Sequence, residues 1–273
     1  MYLCAGLGHH GAPSGHFTSL LMCLIGLLYR VHPDYPILLA ANRDEFYARS
    51  TARADWWADQ PDLLGGRDLE AGGTWLAIHR DGRWGCLTNH RDLHKPLLEN
   101  APSRGELVPA FLRSHRPAAD YLADLHPHAS AYNGFNLLLW DGQALCHYSN
   151  EEGSVNPVVP GIHGLSNALL DTPWPKVTQL KRDLADLLAQ GQAADPQALF
   201  ACLHNRELAP DAALPDTGIG LDWERPLSAM HIEMPTYGTR VASVLRVKTD
   251  GGVDFWEQGF EGAGELRYFQ VGV

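Results

Sequence analysis

Hydrophobic and polar positions alternate in short runs along this chain, and turn residues separate the runs. The dipeptide Asp-Gly divides two apolar runs in each of three segments, 74–89, 135–148 and 242–257. An Asp-Gly loop between apolar runs is a strong signal for a β-hairpin. Many of these runs are apolar throughout, which is typical of strands buried on both faces. The pattern therefore predicts three hairpins within packed sheets.

A fourth hairpin is predicted near the start of the chain. The apolar runs 23–30 and 36–41 are joined by the turn residues His32-Pro33-Asp34. Four polar residues, 42–45, follow the second run directly, and we expect them at the end of that strand. Because hairpin strands run antiparallel, Cys23 should lie at the same end of the sheet as these polar residues.

Helical periodicity appears between the predicted hairpins. The longest helix is predicted over 174–190, with apolar residues on one face and Gly191 as its stop. Shorter helices are predicted after an apparent capping box at Ser103–Glu106, over 117–125 and over 196–207. Residues 208–228 read as a long irregular loop. Hairpins and covering helices together predict an α+β fold of stacked sheets in one layered domain.

Composition narrows the class of protein. The chain has 273 residues, 45% hydrophobic and 19% charged, with 21 Lys and Arg against 32 Asp and Glu, a net charge of −11. Such an acidic chain repels phosphate backbones, so a nucleic-acid partner is not expected. No apolar run reaches the roughly 18 residues typical of a membrane span. Five scattered cysteines without a C-x-x-C pair predict neither a disulfide framework nor a zinc knuckle. The spacing of the histidines does not favour a metal site. We expect a cytoplasmic protein.

The first 22 residues differ from the rest. They carry no charged side chain and are rich in Gly and His. They lack the basic region and cleavage site of a signal peptide. We interpret residues 1–22 as a removable leader or a mis-assigned upstream segment, with the domain occupying 23–273 and Met22 as the true start.

Cys23 is the first candidate for chemistry. If Met22 is the start and is removed, Cys23 carries a thiol and an α-amino group together. The amine has a pKa near 7.7–8.0 and can accept the thiol proton, which generates the attacking thiolate. The alternative is a small buried hydrophobic residue, which is the commonest role of a free cysteine.

Polar residues at strand ends complete a possible site. Arg43 would favour a thiolate, and Asp44 could hold the α-amino group. Asn89 and Asn167 end apolar runs, where amide side chains can donate to a developing oxyanion. Ordinary turn chemistry explains the asparagines equally well.

The order of these and other motifs resembles the NRDE family, also called the family of transport and Golgi organisation protein two. The resemblance covers the chain from Met22 to the C-terminus. The motifs that carry it are MCL at 22–24, AANRDEF at 40–46, GRD at 66–68, GGTW at 72–75, LTN at 87–89, SRG at 103–105, GFNL at 134–137, GLSN at 164–167, DTPWPK at 171–176 and YGTR at 237–240.

This resemblance implies a four-layer αββα sandwich of the N-terminal nucleophile hydrolase type. It also implies kinship with acylases that cleave amides through an N-terminal cysteine. Cys23 then resembles the nucleophile, and Arg43 and Asp44 resemble the residues that flank it. By the same resemblance Asn89 and Asn167 stand on the oxyanion side and Arg240 supports the site. Asn42 and Glu45 complete the family motif.

Three functions remain open. The first is an amide (C–N) hydrolase or acyl transferase that uses Cys23 on an unknown small-molecule amide or acyl substrate. The second is a non-catalytic carrier or chaperone for haem or an acyl-lipid, with no resident cofactor; the haem would be a transported ligand held by Cys23 and a histidine such as His90 or His163. The third is an interaction protein whose Trp56 and Trp57 mark a contact surface.

Overall fold

The computed structural model describes residues 22–260 and 264–272. The predicted leader therefore lies outside the described residues, apart from Met22, which begins the first strand. The strands are β1 (Met22–Tyr29), β2 (Ile37–Phe46), β3 (Thr51–Trp57), β4 (Gln60–Asp68), β5 (Leu76–His79), β6 (Trp84–Asn89), β7 (Phe135–Trp140), β8 (Leu145–Ser149), β9 (Ser154–Pro157), β10 (Gly161–Leu165), β11 (Tyr237–Val247), β12 (Val253–Gly259) and β13 (Leu266–Val271). The helices are α1 (Leu107–Ser114), α2 (Ala118–Leu125), α3 (Pro175–Ala189), α4 (Pro196–Leu203) and α5 (Leu221–Leu227).

The strands form two antiparallel sheets. The first has six strands in the order β10-β1-β2-β11-β12-β13, and the second has seven in the order β3-β4-β5-β6-β7-β8-β9. The three Asp-Gly hairpins are confirmed as β5-β6, β7-β8 and β11-β12. Their glycines, Gly82, Gly142 and Gly251, have φ of +85°, +95° and +91°, which a side chain would disfavour.

Three apolar clusters define four layers. Odd-numbered residues of β1 and β2, such as Ile25 and Leu39, pack against Ile78 and Leu138 of the second sheet. Helices α3 and α4 cover the other face of the first sheet. Helices α1 and α2 cover the other face of the second sheet. The predicted αββα sandwich is therefore confirmed, and both sheets are buried on both faces, as the continuous apolar runs indicated.

The helix predictions are mostly confirmed. Helix α3 begins at Pro175 and ends at Ala189, within one residue of the prediction. The predicted capping box is wrong, because the Ser103 side chain makes no capping hydrogen bond and Glu106 pairs instead with Arg113. The predicted loop 208–228 is wrong at its end, where the short helix α5 forms.

From the sequence we expected the polar motif 42–45 to lie at the end of its strand, and the structure differs. Strand β2 continues through it to Phe46, and all four motif residues are buried. The buried side chains are tolerated because residues on both faces of the sheet form hydrogen bonds or ion pairs with them. In the described ranges no helix is long and apolar enough to cross a bilayer.

Candidate functional site

Cys23 and Arg43 are the centre of the candidate site. They lie directly opposite each other in the β1-β2 ladder, as the hairpin prediction required. Both occupy odd-numbered positions, so their side chains point to the side of the first sheet that faces the second sheet. They line a cavity of about 300 Å³ whose other polar walls include Asn89 and Asp68. Trp75 and Leu87 supply an apolar wall.

The Cys23 thiol is neutral in the chain as it stands. Its residue is only 6% exposed, and this burial, with a smaller contribution from the Asp44 carboxylate, raises its pKa to about 12. The Arg43 charge opposes the rise without cancelling it. In this chain the nitrogen of Cys23 belongs to the peptide bond with Met22 and cannot act as a base. A reactive thiolate therefore needs a further proton acceptor.

Arg43 is buried in the cavity wall. Its guanidinium lies 4.3 Å above the Trp75 ring, and Nη2 is 3.4 Å from Glu45 Oε2. Its Nη1 has no hydrogen-bond partner among the described residues. Burial lowers the pKa of Arg43, and Glu45 opposes that change. A buried donor without a partner beside a thiol can bind a carbonyl oxygen or an anion.

Glu45 and Arg49 extend this charged wall. Glu45 accepts a hydrogen bond from the backbone N–H of Phe46 at 2.7 Å and lies 3.6 Å from Arg49. Arg49 is paired with Asp68 at 2.7 Å. Glu45 thus holds both arginines, which explains its place in the family motif.

Asp44 points to the opposite side of the sheet from the thiol. Its Oδ1 accepts a hydrogen bond from Thr239 at 2.6 Å, while Oδ2 has no partner among the described residues. Burial raises the pKa of Asp44 to about 6, and Lys176 and Thr239 oppose the rise. The register pairs Asp44 with Met22, the residue before Cys23. A buried carboxylate is therefore next to the bond that would be cut to free the Cys23 amine.

Lys176 is a functional candidate that the sequence analysis missed. It is the second residue of α3, only 3% exposed, and its Nζ has no hydrogen-bond partner within the described ranges. Burial lowers its pKa to about 8, and Asp44 opposes that change more strongly than any other charge. A lysine buried this deeply is rare without a paired charge. The signal was present in the motif at 171–176, but no spacing rule linked it to Asp44.

Asn42 has a structural role. Its Nδ2 donates to the backbone oxygens of Leu203 at 2.9 Å and Met230 at 2.8 Å. It therefore ties β2 to the end of α4 and to the segment before β11. Nothing in this geometry brings Asn42 to the cavity.

The two asparagines predicted for the oxyanion side are adjacent, but only one lines the cavity. Asn89 is in the cavity wall, and Asn167 donates from Nδ2 to the backbone oxygen of Asn89 at 2.8 Å. Ser166 donates to the backbone oxygen of Cys23 at 3.0 Å. Asn167 thus positions Asn89. Arg240 donates to the backbone oxygens of Phe46 at 2.8 Å and Arg49 at 3.0 Å, so it supports the end of β2 from outside the cavity.

Neither histidine considered for haem lines the Cys23 cavity. His163 uses both ring nitrogens, Nδ1 with Asp171 at 2.7 Å and Nε2 with the Val159 oxygen at 2.9 Å. His90 lines a separate cavity of about 220 Å³.

One surface cluster has atoms that could bind a metal. The ligand atoms of His79, Asp81 and His115 all lie within 4.8 Å of one another. However, Arg83 Nη2 is 3.0 Å from His115 Nδ1, and Arg83 Nε bonds Asp81 at 3.1 Å. The guanidinium already supplies the positive charge that a metal ion would bring.

Fold and site together define a class: an αββα sandwich with a buried cysteine at the start of a central strand, facing a polar cavity. The sequence profile of the family described as Transport and Golgi organisation 2 matches residues 22–262, and the chain belongs to that family. It is 38% identical over 268 residues to the bovine Transport and Golgi organization protein 2 homolog, across 90% of this chain and 96% of the relative. It is 29% identical over 267 residues to the Drosophila melanogaster Transport and Golgi organization protein 2, across 88% of this chain and 93% of the relative.

Among solved structures, the chain is similar to a mutant of conjugated bile acid hydrolase from Clostridium perfringens. The TM-score is 0.48 with 7% sequence identity, covering 91% of this chain and 92% of that chain.

Proposed function

We propose that the protein is an N-terminal-nucleophile hydrolase or acyl transferase that acts on a C–N amide bond through Cys23. The observation that carries this proposal is the arrangement around Cys23: its side chain lines a cavity with Arg43 and Asn89. The residue before it is paired with Asp44, a buried carboxylate with one oxygen that no described residue binds.

The reaction needs Cys23 to become the first residue. Its free α-amine then accepts the thiol proton, and the thiolate attacks the substrate carbonyl to form a C–S bond. Asn89 and Arg43 can donate to the oxyanion. The C–N bond breaks as the α-ammonium returns the proton to the leaving amine. Water then cleaves the thioester in a hydrolase, whereas a second amine does so in a transferase.

Asp44 and Lys176 set the electrostatic environment of the α-amine. Asp44 attracts the α-ammonium that forms during attack. Lys176 favours the ionised form of Asp44 because a nearby positive charge lowers a carboxyl pKa. The apolar wall formed by Trp75 and Leu87 can hold the acyl group.

The test combines the mature N-terminus with turnover. Intact mass and peptide mapping of the protein from its native host should give a chain that begins at Cys23. That chain is screened against a panel of N-acyl amides, with Cys23→Ala and the matched control Cys202→Ala. We expect Cys23→Ala to abolish hydrolysis and Cys202→Ala to retain it, since Cys202 lies half-buried on α4. Undiminished hydrolysis in Cys23→Ala would end the proposal.

A second candidate is a carrier of an acyl-lipid or haem ligand. The neutral Cys23 thiol and the apolar wall favour it in a chain that keeps residues 1–22. A cavity of about 300 Å³ is at the small end of the range for ligand sites, which suits an acyl chain better than a haem. Titration of the full chain with haem and with a fluorescent fatty acid separates the two ligands. A fatty-acid carrier should bind with Cys23→Ala as well as with the wild type, whereas a haem held by Cys23 should bind more weakly to that variant.

A further inference from the structure

The segment 92–106 is a long exposed or half-buried connection between β6 and α1. Arg91 and Leu107 on either side are 6% and 4% exposed, yet no residue between them is buried. Its only regular structure is a short 3-10 turn at Arg104–Glu106. A stretch of 15 residues without a buried side chain has little apolar packing to hold it, so its local stability must be low.

The same segment lies over two cavities. Its second half, 101–105, forms a wall of the Cys23 cavity. Its first half lines the neighbouring cavity of about 220 Å³. Asn133 lines both cavities. The two cavities leave open space on the inner side of most of the segment.

The two ends of the segment are firmly held. At the first end, Arg91 pairs with Glu224 at 2.8 Å in a buried contact. At the second end, the Gly105 oxygen accepts a hydrogen bond from Thr74 N–H at 2.9 Å. A Cβ on Gly73 would come within 2.3 Å of the Gly105 carbonyl carbon, so the two backbones are in direct contact.

The middle of the segment is held by few polar contacts. Leu98 N–H donates to Asn133 Oδ1 at 2.8 Å, and Asn133 Nδ2 reaches the Leu98 oxygen at 3.4 Å. Lys95, which is 61% exposed, pairs with Glu151 at 2.7 Å. Exposed ion pairs contribute little to stability. Asn133 is therefore the main latch of the middle, while nearer the ends Leu93 N–H donates to the Thr217 oxygen at 2.8 Å and Arg104 Nη1 donates to the Gly134 oxygen at 2.8 Å.

We propose that residues 92–106 form a lid that swings between its anchored ends to admit a substrate to Cys23, with Asn133 as its latch. Closure brings Ser103 and Arg104 into the cavity wall, so the lid supplies part of the surface that a bound substrate would contact. The inference rests on the proposed function only in naming Cys23 as the group that is reached. Opening itself is measured without turnover.

Hydrogen–deuterium exchange on the full chain is the first measurement. Amides of 92–103 should exchange at least about tenfold faster than those of β6 and α1, which flank the lid. Asn133→Ala should increase exchange in the lid a further fivefold or so, because it removes both hydrogen bonds to Leu98. Asn156→Ala is the matched control, since it removes an amide from exposed contacts on β9 and should leave the lid unchanged.

Labelling of Cys23 tests whether the lid controls access. We expect Asn133→Ala to raise the rate for the bulky fluorescein maleimide about fivefold and to change the rate for iodoacetamide little. In the double variant Leu98→Cys with Asn133→Cys, oxidation should block the bulky reagent and reduction should restore it. Lid exchange as slow as that of β6, or maleimide rates indifferent to both changes, would overturn the proposal. Loss of turnover in Cys23→Ala bears only on the proposed function.

Discussion

Release of the Cys23 amine should change the reactivity of its thiol by a factor that can be estimated. The comparison is between the chain that begins at Met1 and a chain that begins at Cys23, made by cutting a fusion partner from that residue. In the first chain burial raises the thiol pKa from its ordinary 9.0 to about 12. At pH 7.5 only about 3 in 100,000 molecules then carry a thiolate.

When the free amine accepts the thiol proton, it becomes an α-ammonium and places an opposite charge next to the thiolate. A neighbouring opposite charge typically lowers a pKa by about 1 to 3 units, so the thiolate fraction should rise about 10- to 1000-fold. A less basic thiolate is also a weaker nucleophile, with a Brønsted coefficient of about 0.4–0.5, which offsets about 3- to 20-fold. The net increase in alkylation rate should therefore lie between about 3-fold and about 50-fold.

The assay is iodoacetamide labelling at pH 7.5, followed by peptide mass spectrometry. Cys202 is an internal control, because burial raises its pKa to about 11 and it lies on α4, outside the Cys23 cavity. Its rate should be the same in both chains. Equal Cys23 rates in the two chains would refute the idea that the amine serves as the base. They would show that the free amine does not change the ionisation of the thiol.

Other predictions follow from packing and charge. Gly73→Ala should lower the free energy of unfolding by about 1–3 kcal/mol in urea titrations, because its Cβ would collide with the Gly105 backbone; an unchanged midpoint would contradict this contact. Phe111→Ala, which empties the fully buried core beneath α1, should cost about 3–5 kcal/mol in the same assay, and a loss below about 1 kcal/mol would mean that the helix repacks. Asp171→Asn should move the NMR titration of His163 to lower pH. The hydrogen bond from His163 to Asp171 raises the His163 pKa, so this pair stabilises the fold below about pH 6.5 and loses that contribution as pH rises through the folded value; an unmoved titration would show that the bond is absent in solution.

Local signals in the sequence predicted much of the fold. Asp-Gly turns specified three hairpins because few other dipeptides tolerate their backbone angles, and the periodicity of α3 marked its buried face. The β3-β4 hairpin was not predicted. Apolar and polar residues alternate only weakly in these two strands. Gly65 and Gly66 lie inside β4, where paired glycines are more typical of a loop. Their lack of side chains is needed because a Cβ on Gly66 would overlap the Trp75 ring, a side-chain contact that hydrophobic periodicity does not record.

The candidate site was predictable in part. Pairing in the first hairpin brought Cys23 and Arg43 together, since register follows from turn position. The burial of the motif at 42–45 could not be foreseen, because it depends on Thr239 and on Lys176 from elements far along the chain. From sequence alone, a charged residue is predicted to be exposed to solvent unless its partner is known.

The alternation of strand β2 has a consequence for how this motif tolerates change. Arg43 and Glu45 meet the cavity side, whereas Asn42 and Asp44 meet the helical layer. In a saturation mutagenesis library, the substitutions that compensate for changes at Arg43 and Glu45 should differ from those that compensate for changes at Asn42 and Asp44. Second-site suppressors of the odd pair should map to the loops around the cavity, and those of the even pair to α3, α4 and β11. A single inserted residue ahead of Asn42 would exchange the two pairs and should have no suppressor at all.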